Sequence, residues 1–382
     1  MIAVGLVSGT SLDGIDAALV RIAPNGDTYA MQTLGFATVP YAAKLVNRLR
    51  SVLPPQRSSV EEVARLHKDV GSAFAAAAAD VAKGWDIDFV ASHGQTIYHA
   101  GEDAVTLQIG DPFTIRERLR ASVIYDFRSA DCAAGGQGAP LVPYLDALVL
   151  GSQEEDRVAV NIGGIANLSF LPAAGGPQTV IAFDSGPGNM LIDLFVRQRT
   201  AGVKQYDNNG AHAGRGIADS ALLGAMLADA YFCASIPKST GHERFGTTFL
   251  QKHATGLHDL TLEDGAATLT ELTVYSLGDA IQKISPPGTR IVVSGGGAHN
   301  THLMRRLRER LDQYPIQSSQ SMDLCVDAKE ALAFVVLGYE ALRGRPVGLP
   351  RVTGAAHSAL LGAIAPHDLT SLLGKVEREC RR

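Results

Sequence analysis

The sequence predicts two related α/β domains, each opening with a β-hairpin whose turn is rich in glycine. An apolar strand from Val4 leads into a turn of glycines and small hydroxyl side chains, and an alternating apolar strand leaves it from Ile15. The pattern returns half a chain later at 158–170, with Gly163 and Gly164 in the turn. Similar units at this spacing indicate a duplicated architecture, with two unrelated hairpins as the alternative.

The length and composition agree with two domains that have large hydrophobic cores. A chain of 382 residues exceeds what one core usually serves, and 46% of its residues are hydrophobic against 19% charged. The polar stretch 151–156 marks the boundary between an N-terminal domain, 1–150, and a C-terminal domain, 151–382, whose last helices can pack back on the first. Two such domains are expected to flank a cleft, where small ligands usually bind.

Charge and cysteine content exclude several classes of function. The formal net charge is −5, and the basic run 305–310 lies in a helical pattern with apolar positions, which is typical of a solvated face rather than a nucleic-acid surface. No secretory signal and no apolar stretch long enough for a membrane span are found in the sequence. We therefore expect a cytoplasmic protein with reduced thiols at its four dispersed cysteines, Cys132, Cys233, Cys325 and Cys380.

The first half continues with alternating strands and helices. Pro40 ends the third strand, and Ser59 followed by an acid three residues later is typical of a helix N-terminus. The predicted elements after the hairpin are a strand over 29–39, a helix to about 83, a short buried strand over 89–91, strands over 105–109 and 123–124, and a polar loop over 129–138.

The second half repeats this scheme from Arg157. A third strand over 180–183 ends at Asp184, and the segment 185–189 then forms a rigid turn. The remaining predicted elements are helices over 190–197, 218–230 and 269–284, a buried strand over 291–293 that leads into a third glycine cluster, and an amphipathic helix over 327–334.

The three glycine clusters are candidate anion-binding turns. Glycine lets the backbone approach an anion closely, and consecutive N–H groups in a turn form an anion-binding concavity. A turn without a ligand is the alternative for each cluster taken alone. The candidate residues are Gly9, Thr10, Ser11, Leu12, Asp13, Gly14, Ile15 and Asp16 in the first cluster, Gly163 and Gly164 in the second, and Gly295 and Gly296 in the third.

Duplicated domains that open with such hairpins resemble the actin, sugar-kinase and Hsp70 superfamily. The resemblance implies two ribonuclease-H-like domains of the actin-like ATPase fold, with the first two turns on the phosphates of ATP and the third on adenosine. Longer blocks look like one family of this group, the anhydro-N-acetylmuramic acid kinases, over nearly the whole chain. These blocks are 8–16, 92–96, 126–129, 135–143, 161–168, 183–189, 238–241 and 352–355.

The substrate of that family, a product of cell-wall (peptidoglycan) recycling, is a 1,6-anhydro sugar whose O6 is tied to C1 and carries no proton. The resemblance implies that water attacks C1 while O6 takes the γ-phosphoryl group of ATP, so the general base must activate water. Asp184, at the end of its predicted strand, is the candidate base. The alternative is that it caps the helix at Met190, although Ser185 and Asn189 are better placed for capping.

Four residues are candidates for binding the sugar. His93 and Gln95 end a buried strand and offer hydrogen bonds, with a buried structural histidine as the alternative. Arg128 offers a guanidinium fork to the lactyl carboxylate of muramate, and Arg116 is the second candidate. Glu330 is predicted to point inward from its helix and to bind a sugar hydroxyl or the N-acetyl N–H, unless it forms a structural salt bridge.

The implied cofactors are ATP and Mg²⁺, and the ligands of the metal stay open. The wider superfamily often carries an aspartate where this chain has Leu6 and Val7, so Asp13 or Asp16 would act through water. Lys238 lies in a Ser-Thr-Gly loop that can approach substrate or phosphate. The resemblance also implies a homodimer. The alternatives are a kinase of another amino sugar and an Hsp70- or actin-like ATPase clamp, for which no partner-binding domain is evident.

Overall fold

Two β-sheets that share one strand order form the framework of the chain in a computed structural model, which describes residues 1–9, 12, 14–26, 28–54, 56–319 and 328–381. The chain packs as two units, Met1–Val149 with Asp327–Arg382, and Leu150–Val326. The sequence boundary near residue 150 lies where the first unit gives way to the second. The segment from 327, assigned by the sequence to the second domain with its last helices free to pack on the first, packs with the first unit.

The strands vary in length from three residues to twelve, and the helices vary from single turns to six turns. The strands are β1 Ile2–Ser8, β2 Ile15–Asn25, β3 Thr28–Val39, β4 Phe89–Ala100, β5 Val105–Ile109, β6 Ser122–Tyr125, β7 Arg157–Ile162, β8 Ile165–Leu171, β9 Ile181–Pro187, β10 Arg290–Ser294, β11 Ile316–Ser318 and β12 Ala363–Ala365. The α-helices are α1 Ala43–Val52, α2 Val60–Val81, α3 Pro112–Leu119, α4 Ser129–Ala133, α5 Pro143–Leu150, α6 Met190–Arg199, α7 Ser220–Leu227, α8 Ala230–Cys233, α9 Thr247–Lys252, α10 Ala254–His258, α11 Leu262–Ile284, α12 Thr301–Arg310, α13 Lys329–Leu342, α14 Pro350–Thr353 and α15 Leu369–Cys380.

The first sheet combines an antiparallel meander with parallel strands. Strands β1, β2 and β3 pair antiparallel in sequence order, while β4 lies parallel to β1 and β6 lies parallel to β4. Strand β12 then adds antiparallel to β6, and β5 pairs with β4 off the main path. The meander therefore forms one side of the sheet and the parallel strands form the other.

The second sheet repeats this topology. Strands β7, β8 and β9 form the antiparallel meander, β10 lies parallel to β7, and β11 lies parallel to β10. In both sheets two parallel strands follow the meander on the side of its first strand. The duplication and the predicted fold class, two ribonuclease-H-like α/β domains of the actin-like ATPase fold, are confirmed.

Each unit has its own hydrophobic core. In the first unit, α2 buries Leu66, Val70 and Phe74 against the sheet, and the predicted cap of this helix is present, because the Ser59 side chain accepts from the Glu62 N–H. In the second unit, α11 is buried over most of its length. A fully buried Leu or Phe contributes about 1.5–3 kcal/mol, so these cores give each sheet a rigid backing.

Several predicted boundaries are wrong for reasons of pairing and capping. Strand β4 runs beyond residue 91 to Ala100 because its second half pairs with β5. The loop over 129–138 contains α4, and the helix over 218–230 is two helices, since Asp229 caps α8 by accepting the Tyr231 N–H. In the part of the chain that the structure describes, no helix combines the length and apolar character that a membrane span needs, and Cys132, Cys233 and Cys380 form no disulfide.

Candidate active site

Asp184 lies inside β9, beside a bulge, and not after the strand as the sequence predicts. Strand β9 pairs with β8 on both sides of this point, but Ala166 faces Gly186 while Asn167 faces Asp184, so Ser185 is an extra residue. The Ser185 hydroxyl donates to the Ala166 carbonyl at 3.0 Å. A bulge re-aims the side chains beside it, and this one lies next to the half-buried Asp184 carboxylate.

Three hydrogen bonds fix Asp184 to the segment 231–240. Its backbone N–H donates to the Lys238 carbonyl at 3.0 Å, and its carbonyl accepts from the Tyr231 hydroxyl at 2.8 Å. Carboxylate oxygen Oδ2 accepts from the Thr240 N–H at 2.8 Å. Within the described residues Oδ1 has no hydrogen bond, so both of its lone pairs can accept a proton.

Burial raises the pKa of the Asp184 carboxyl to about 6. The Thr240 N–H acts in the opposite direction, and the negative charge of Glu243 adds to the increase. Neither Ser185 nor Asn189 provides the side-chain cap that the sequence predicts for α6, since the Ser185 hydroxyl is held by β8 and the Asn189 side chain makes no capping bond. A carboxylate with a pKa near neutrality is suited to general-base chemistry.

The turn between β7 and β8 is tied to the start of α6. The N–H groups of Gly188 and Met190 donate to the Gly164 carbonyl at 2.8 and 3.1 Å, and the Asn189 N–H donates to the Gly163 carbonyl at 2.8 Å. Because a trans peptide directs its N–H opposite to its C=O, the N–H of exposed Gly164 points away from Asn189. The first amides of α6 are thus occupied, and the turn itself offers the anion donor.

The contact between the Gly163–Gly164 turn and the start of α6 requires glycine at position 188. A Cβ on Gly188 would lie 2.3 Å from the Gly163 carbonyl oxygen, so a larger residue would push the turn away. The sequence places Gly188 only in a rigid turn, and its pairing with Gly163 was not predicted.

The third glycine cluster lies against the end of β7. Gly295 has a φ of +83°, and a Cβ there would meet the Asn161 Oδ1 atom at 2.5 Å. A Cβ on Gly296 would find only the Asn189 amide nitrogen, at 4.0 Å. The second and third clusters therefore come together in the second unit, where Gly295 serves the close approach of two strands and Gly296 faces open space.

The buried side chain of Gln95 holds the first glycine turn in place. In this turn Thr10, Ser11 and Asp13 lie outside the described residues. Gly9 is exposed, Gly14 is buried, and Leu12 and Ile15 belong to the core of the first unit. The fully buried Gln95 amide donates to the Gly9 carbonyl at 3.2 Å, and its Oε1 lies 2.7 Å from the Ser8 hydroxyl. These bonds make Gln95 an anchor of the turn.

His93 and Arg128, both predicted to bind substrate, are bonded to each other in the first unit. The His93 Nδ1–H donates to the Gly94 carbonyl, so Nε2 accepts from the Arg128 Nε–H at 2.9 Å. Burial, followed by the charge of Arg128, holds the pKa of His93 well below its usual value, which agrees with a neutral ring. Arg128 Nη1 donates to the Gly138 carbonyl at 2.7 Å, and burial lowers the pKa of its guanidinium to about 10.

Glu330 is exposed, which contradicts the inward orientation predicted from its helix face. It is the second residue of α13, and Phe334 one turn later is buried against His93 and Phe127. Glu330 and Phe334 lie on the same face of α13, but this face is buried only from the second turn of the helix onward. The negative charge of Glu330 nevertheless acts to raise the pKa of Arg128.

Tyr231 and Thr240 hold Asp184 in ways that the sequence did not indicate. Lys238, which the sequence did single out, directs its ammonium to the Tyr231 carbonyl at 2.8 Å, and its backbone carbonyl accepts from the Asp184 N–H. Tyr231 and Thr240 were missed because their contacts with Asp184 span 47 and 56 residues. The 238–241 block marked the loop in the sequence, but nothing in it indicated which residue it holds.

Comparisons with known proteins show the family to which the chain belongs. A sequence model described as anhydro-N-acetylmuramic acid kinase matches residues 1–367. Proteins of that name from Salinibacter ruber and Gloeobacter violaceus are both 42% identical, over 95% of this chain and 95% of the relative, and over 96% and 98%, respectively. One from Rhodococcus erythropolis is 40% identical over 95% of this chain and 94% of the relative. The chain belongs to the anhydro-N-acetylmuramic acid kinase family.

Proposed function

We propose that Asp184 is the general base with which this chain opens the 1,6-anhydro ring of 1,6-anhydro-N-acetylmuramic acid and phosphorylates O6, in peptidoglycan recycling. Membership of the family makes the chain an ATP-dependent kinase, a phosphotransferase. The observation that carries the proposal is the half-buried Asp184 carboxylate, held through Oδ2 and unbonded at Oδ1 within the described residues.

The reaction balances with one water, one ATP and one sugar. Water attacks C1 and transfers a proton to Asp184 Oδ1 as the C1–O6 bond breaks. Oxygen O6 takes the γ-phosphoryl group, and the bond from that phosphorus to the bridging oxygen of ADP breaks. The products are N-acetylmuramate 6-phosphate, ADP and the proton on Asp184. Because O6 leaves as an alkoxide, the base acts on water and not on the sugar hydroxyl.

We assign the phosphates of ATP to the glycine turns. The exposed Gly164 N–H and the exposed backbone at Gly9 are of the kind that bind phosphate oxygens. Gly296 has the open surroundings that a nucleoside needs. Gln95 would act by holding the first turn in place.

We assign the lactyl carboxylate of the sugar to Arg128. With Nε on His93 and Nη1 on the Gly138 carbonyl, the guanidinium is oriented, and Nη2 makes no hydrogen bond among the described residues. Both ring nitrogens of His93 are occupied, so its part is to orient Arg128 rather than to contact the sugar. Glu330 contributes negative charge that acts on the Arg128 guanidinium.

Mg²⁺ would accompany ATP and neutralise charge on the transferred group. The described residues include no group of three His, Cys, Asp or Glu side chains placed for a metal ion. Mg²⁺ commonly takes one or two carboxylates with phosphate oxygens and water, so a smaller set suffices. Asp16, whose Oδ1 accepts from the Thr38 hydroxyl at 2.6 Å, is the described carboxylate directly after the first turn.

The raised pKa of Asp184 predicts an acid limb in the rate profile. The base must be ionised to accept a proton, and burial raises its pKa to about 6. We expect kcat/KM to be constant at neutral pH and to fall by about tenfold for each pH unit below that value, because only the ionised fraction reacts. A pH profile from 4.5 to 8 measures the limb, and a flat profile through pH 6 would rule out Asp184 as the base.

The substrate and the direction of water attack are tested together. ADP release should require the anhydro sugar, and in ¹⁸O-water the label should enter the product at C1 and be absent from the phosphate, as mass spectrometry of N-acetylmuramate 6-phosphate would show. Free N-acetylmuramate and N-acetylglucosamine are the control substrates. Faster phosphorylation of either control would favour the alternative, a kinase of another amino sugar.

We extend the proposal to a homodimer in the cytoplasm, where ATP and the recycled sugar meet. The homodimer and the cytoplasmic location rest on the family resemblance. We propose neither a nucleic-acid partner nor a membrane partner.

A further inference from the structure

We propose that Tyr231 is a positioning residue for the reaction, which it serves by holding the backbone of Asp184 at the β9 bulge. This inference rests on the proposed role of Asp184 as the base. The Tyr231 hydroxyl donates to the Asp184 carbonyl at 2.8 Å, one residue before the extra residue Ser185. A bulge has fewer ladder hydrogen bonds than a regular strand, so the peptide at this point depends on partners outside the sheet.

The Tyr231 phenol is suited to act as a permanent hydrogen-bond donor. Tyr231 is 6% exposed, and burial, followed by the negative charge of Asp184, raises the pKa of the phenol far above its usual value. The hydroxyl therefore keeps its proton at every pH at which the enzyme works, and the hydrogen bond to the Asp184 carbonyl persists.

The ring of Tyr231 is held by two phenylalanine rings and by the ammonium group of a lysine. Phe245 and Phe232 pack edge-on at centroid distances of 5.4 and 6.2 Å, and the Lys238 ammonium lies 4.4 Å from the ring centroid. The Tyr231 N–H is held by the Asp229 carboxylate at 3.0 Å. Since an aromatic ring has few rotatable bonds, packing of this kind places the hydroxyl within a narrow range.

Tyr231 also holds the loop that contacts the carboxylate. Its carbonyl accepts from the Lys238 ammonium, while the Lys238 carbonyl accepts from the Asp184 N–H. Two residues on, the Thr240 N–H binds Oδ2 of the same aspartate. One tyrosine thus supports both the strand that carries the base and the loop that binds Oδ2 of its carboxylate.

The test uses Tyr231→Phe, which removes the hydroxyl and keeps the ring. We expect kcat to fall by about tenfold, the loss of a single oriented hydrogen bond, while KM for ATP and for the anhydro sugar changes by less than about twofold. We also expect the acid limb to move to higher pH, because a displaced carboxylate loses the Thr240 N–H that favours its ionised form.

The matched control is Tyr314→Phe. The Tyr314 hydroxyl donates to the Ser285 carbonyl at 3.0 Å in the same unit, and Tyr314 is buried to nearly the same extent as Tyr231. Among the described residues it makes no hydrogen bond with Asp184. This variant should lose a similar amount of thermal stability and should leave kcat and the acid limb unchanged. Equal losses of activity in the two variants would reduce Tyr231 to a packing residue and overturn the proposal.

A double-substitution cycle separates this inference from the role of Asp184. If Tyr231 acts through Asp184, Tyr231→Phe should have no further effect on the residual rate of Asp184→Asn. If Tyr231→Phe leaves kcat and the acid limb unchanged while Asp184→Asn lowers kcat as expected for loss of the base, the positioning role is wrong and the proposed function stands. If Asp184→Asn keeps a kcat close to that of the unsubstituted chain, the proposed base is wrong, whatever Tyr231→Phe does.

Discussion

Asp184→Asn is expected to lower kcat by about 10²- to 10⁴-fold, the usual contribution of a general base. The amide keeps the size of the side chain and a hydrogen-bond acceptor for the Thr240 N–H, but it cannot take a proton from water. The Kd for ATP should stay within about twofold, because binding and chemistry use different groups. Steady-state kinetics with the anhydro sugar and calorimetry with a non-hydrolysable ATP analogue measure the two quantities.

Asp193→Asn is the matched control for this substitution. Asp193 is also a half-buried carboxyl of the second unit, and burial raises its pKa to about 7, but it lies on α6 and binds none of the residues around Asp184. We expect its turnover to remain close to that of the unsubstituted chain. A loss of activity confined to Asp193→Asn would show that the base had been assigned to the wrong carboxyl.

Gly188→Ala is expected to weaken ATP binding by about 10- to 100-fold, the value of one charge-assisted hydrogen bond of about 1.5–3 kcal/mol. The new Cβ would lie 2.3 Å from the Gly163 carbonyl oxygen, which is backbone and cannot rotate aside. The Gly163–Gly164 turn must therefore shift, and its outward N–H moves with it. Calorimetric titration with ATP measures the affinity, and thermal unfolding measures the accompanying loss of stability.

Gly224→Ala provides the comparison in the same unit. Gly224 lies within α7, and a Cβ there meets nothing within 4 Å. Alanine in place of a helical glycine stabilises by about 0.5–1 kcal/mol, so this variant should unfold at an equal or higher temperature. Unchanged ATP affinity in Gly188→Ala, or an equal loss in both variants, would contradict the assignment of phosphate to this turn.

The duplication could be predicted from sequence because periodicity and turn composition are local signals. Each hairpin shows an apolar strand, a glycine turn and an alternating strand, and the structure has β1–β2 and β7–β8 at these places. The third glycine cluster follows β10 for the same reason. Local signals of this kind indicate where the backbone can approach a ligand, and the candidates Gly164 and Gly296 rest on them.

The surroundings of Asp184 could not be predicted because they depend on contacts between distant segments. The bulge at Ser185 is defined by the register of β9 against β8, which depends on a segment outside 181–187. Tyr231 and Thr240 reach Asp184 from other elements. The inward orientation of Glu330 was wrong because helical spacing describes a face, whereas burial also needs a neighbour that covers the first turn.

The return of the chain to the first unit affects the order in which the two units can fold during translation. The second unit is one continuous segment, Leu150–Val326, whereas the first is completed by residues after it. Strand β12, which adds to the edge of the first sheet at β6, and α13, which supplies Phe334 behind His93, leave the ribosome later than any part of the second unit. Because domains fold as their residues emerge, the base-bearing unit can reach its native state while the unit that begins the chain still waits for its final strand.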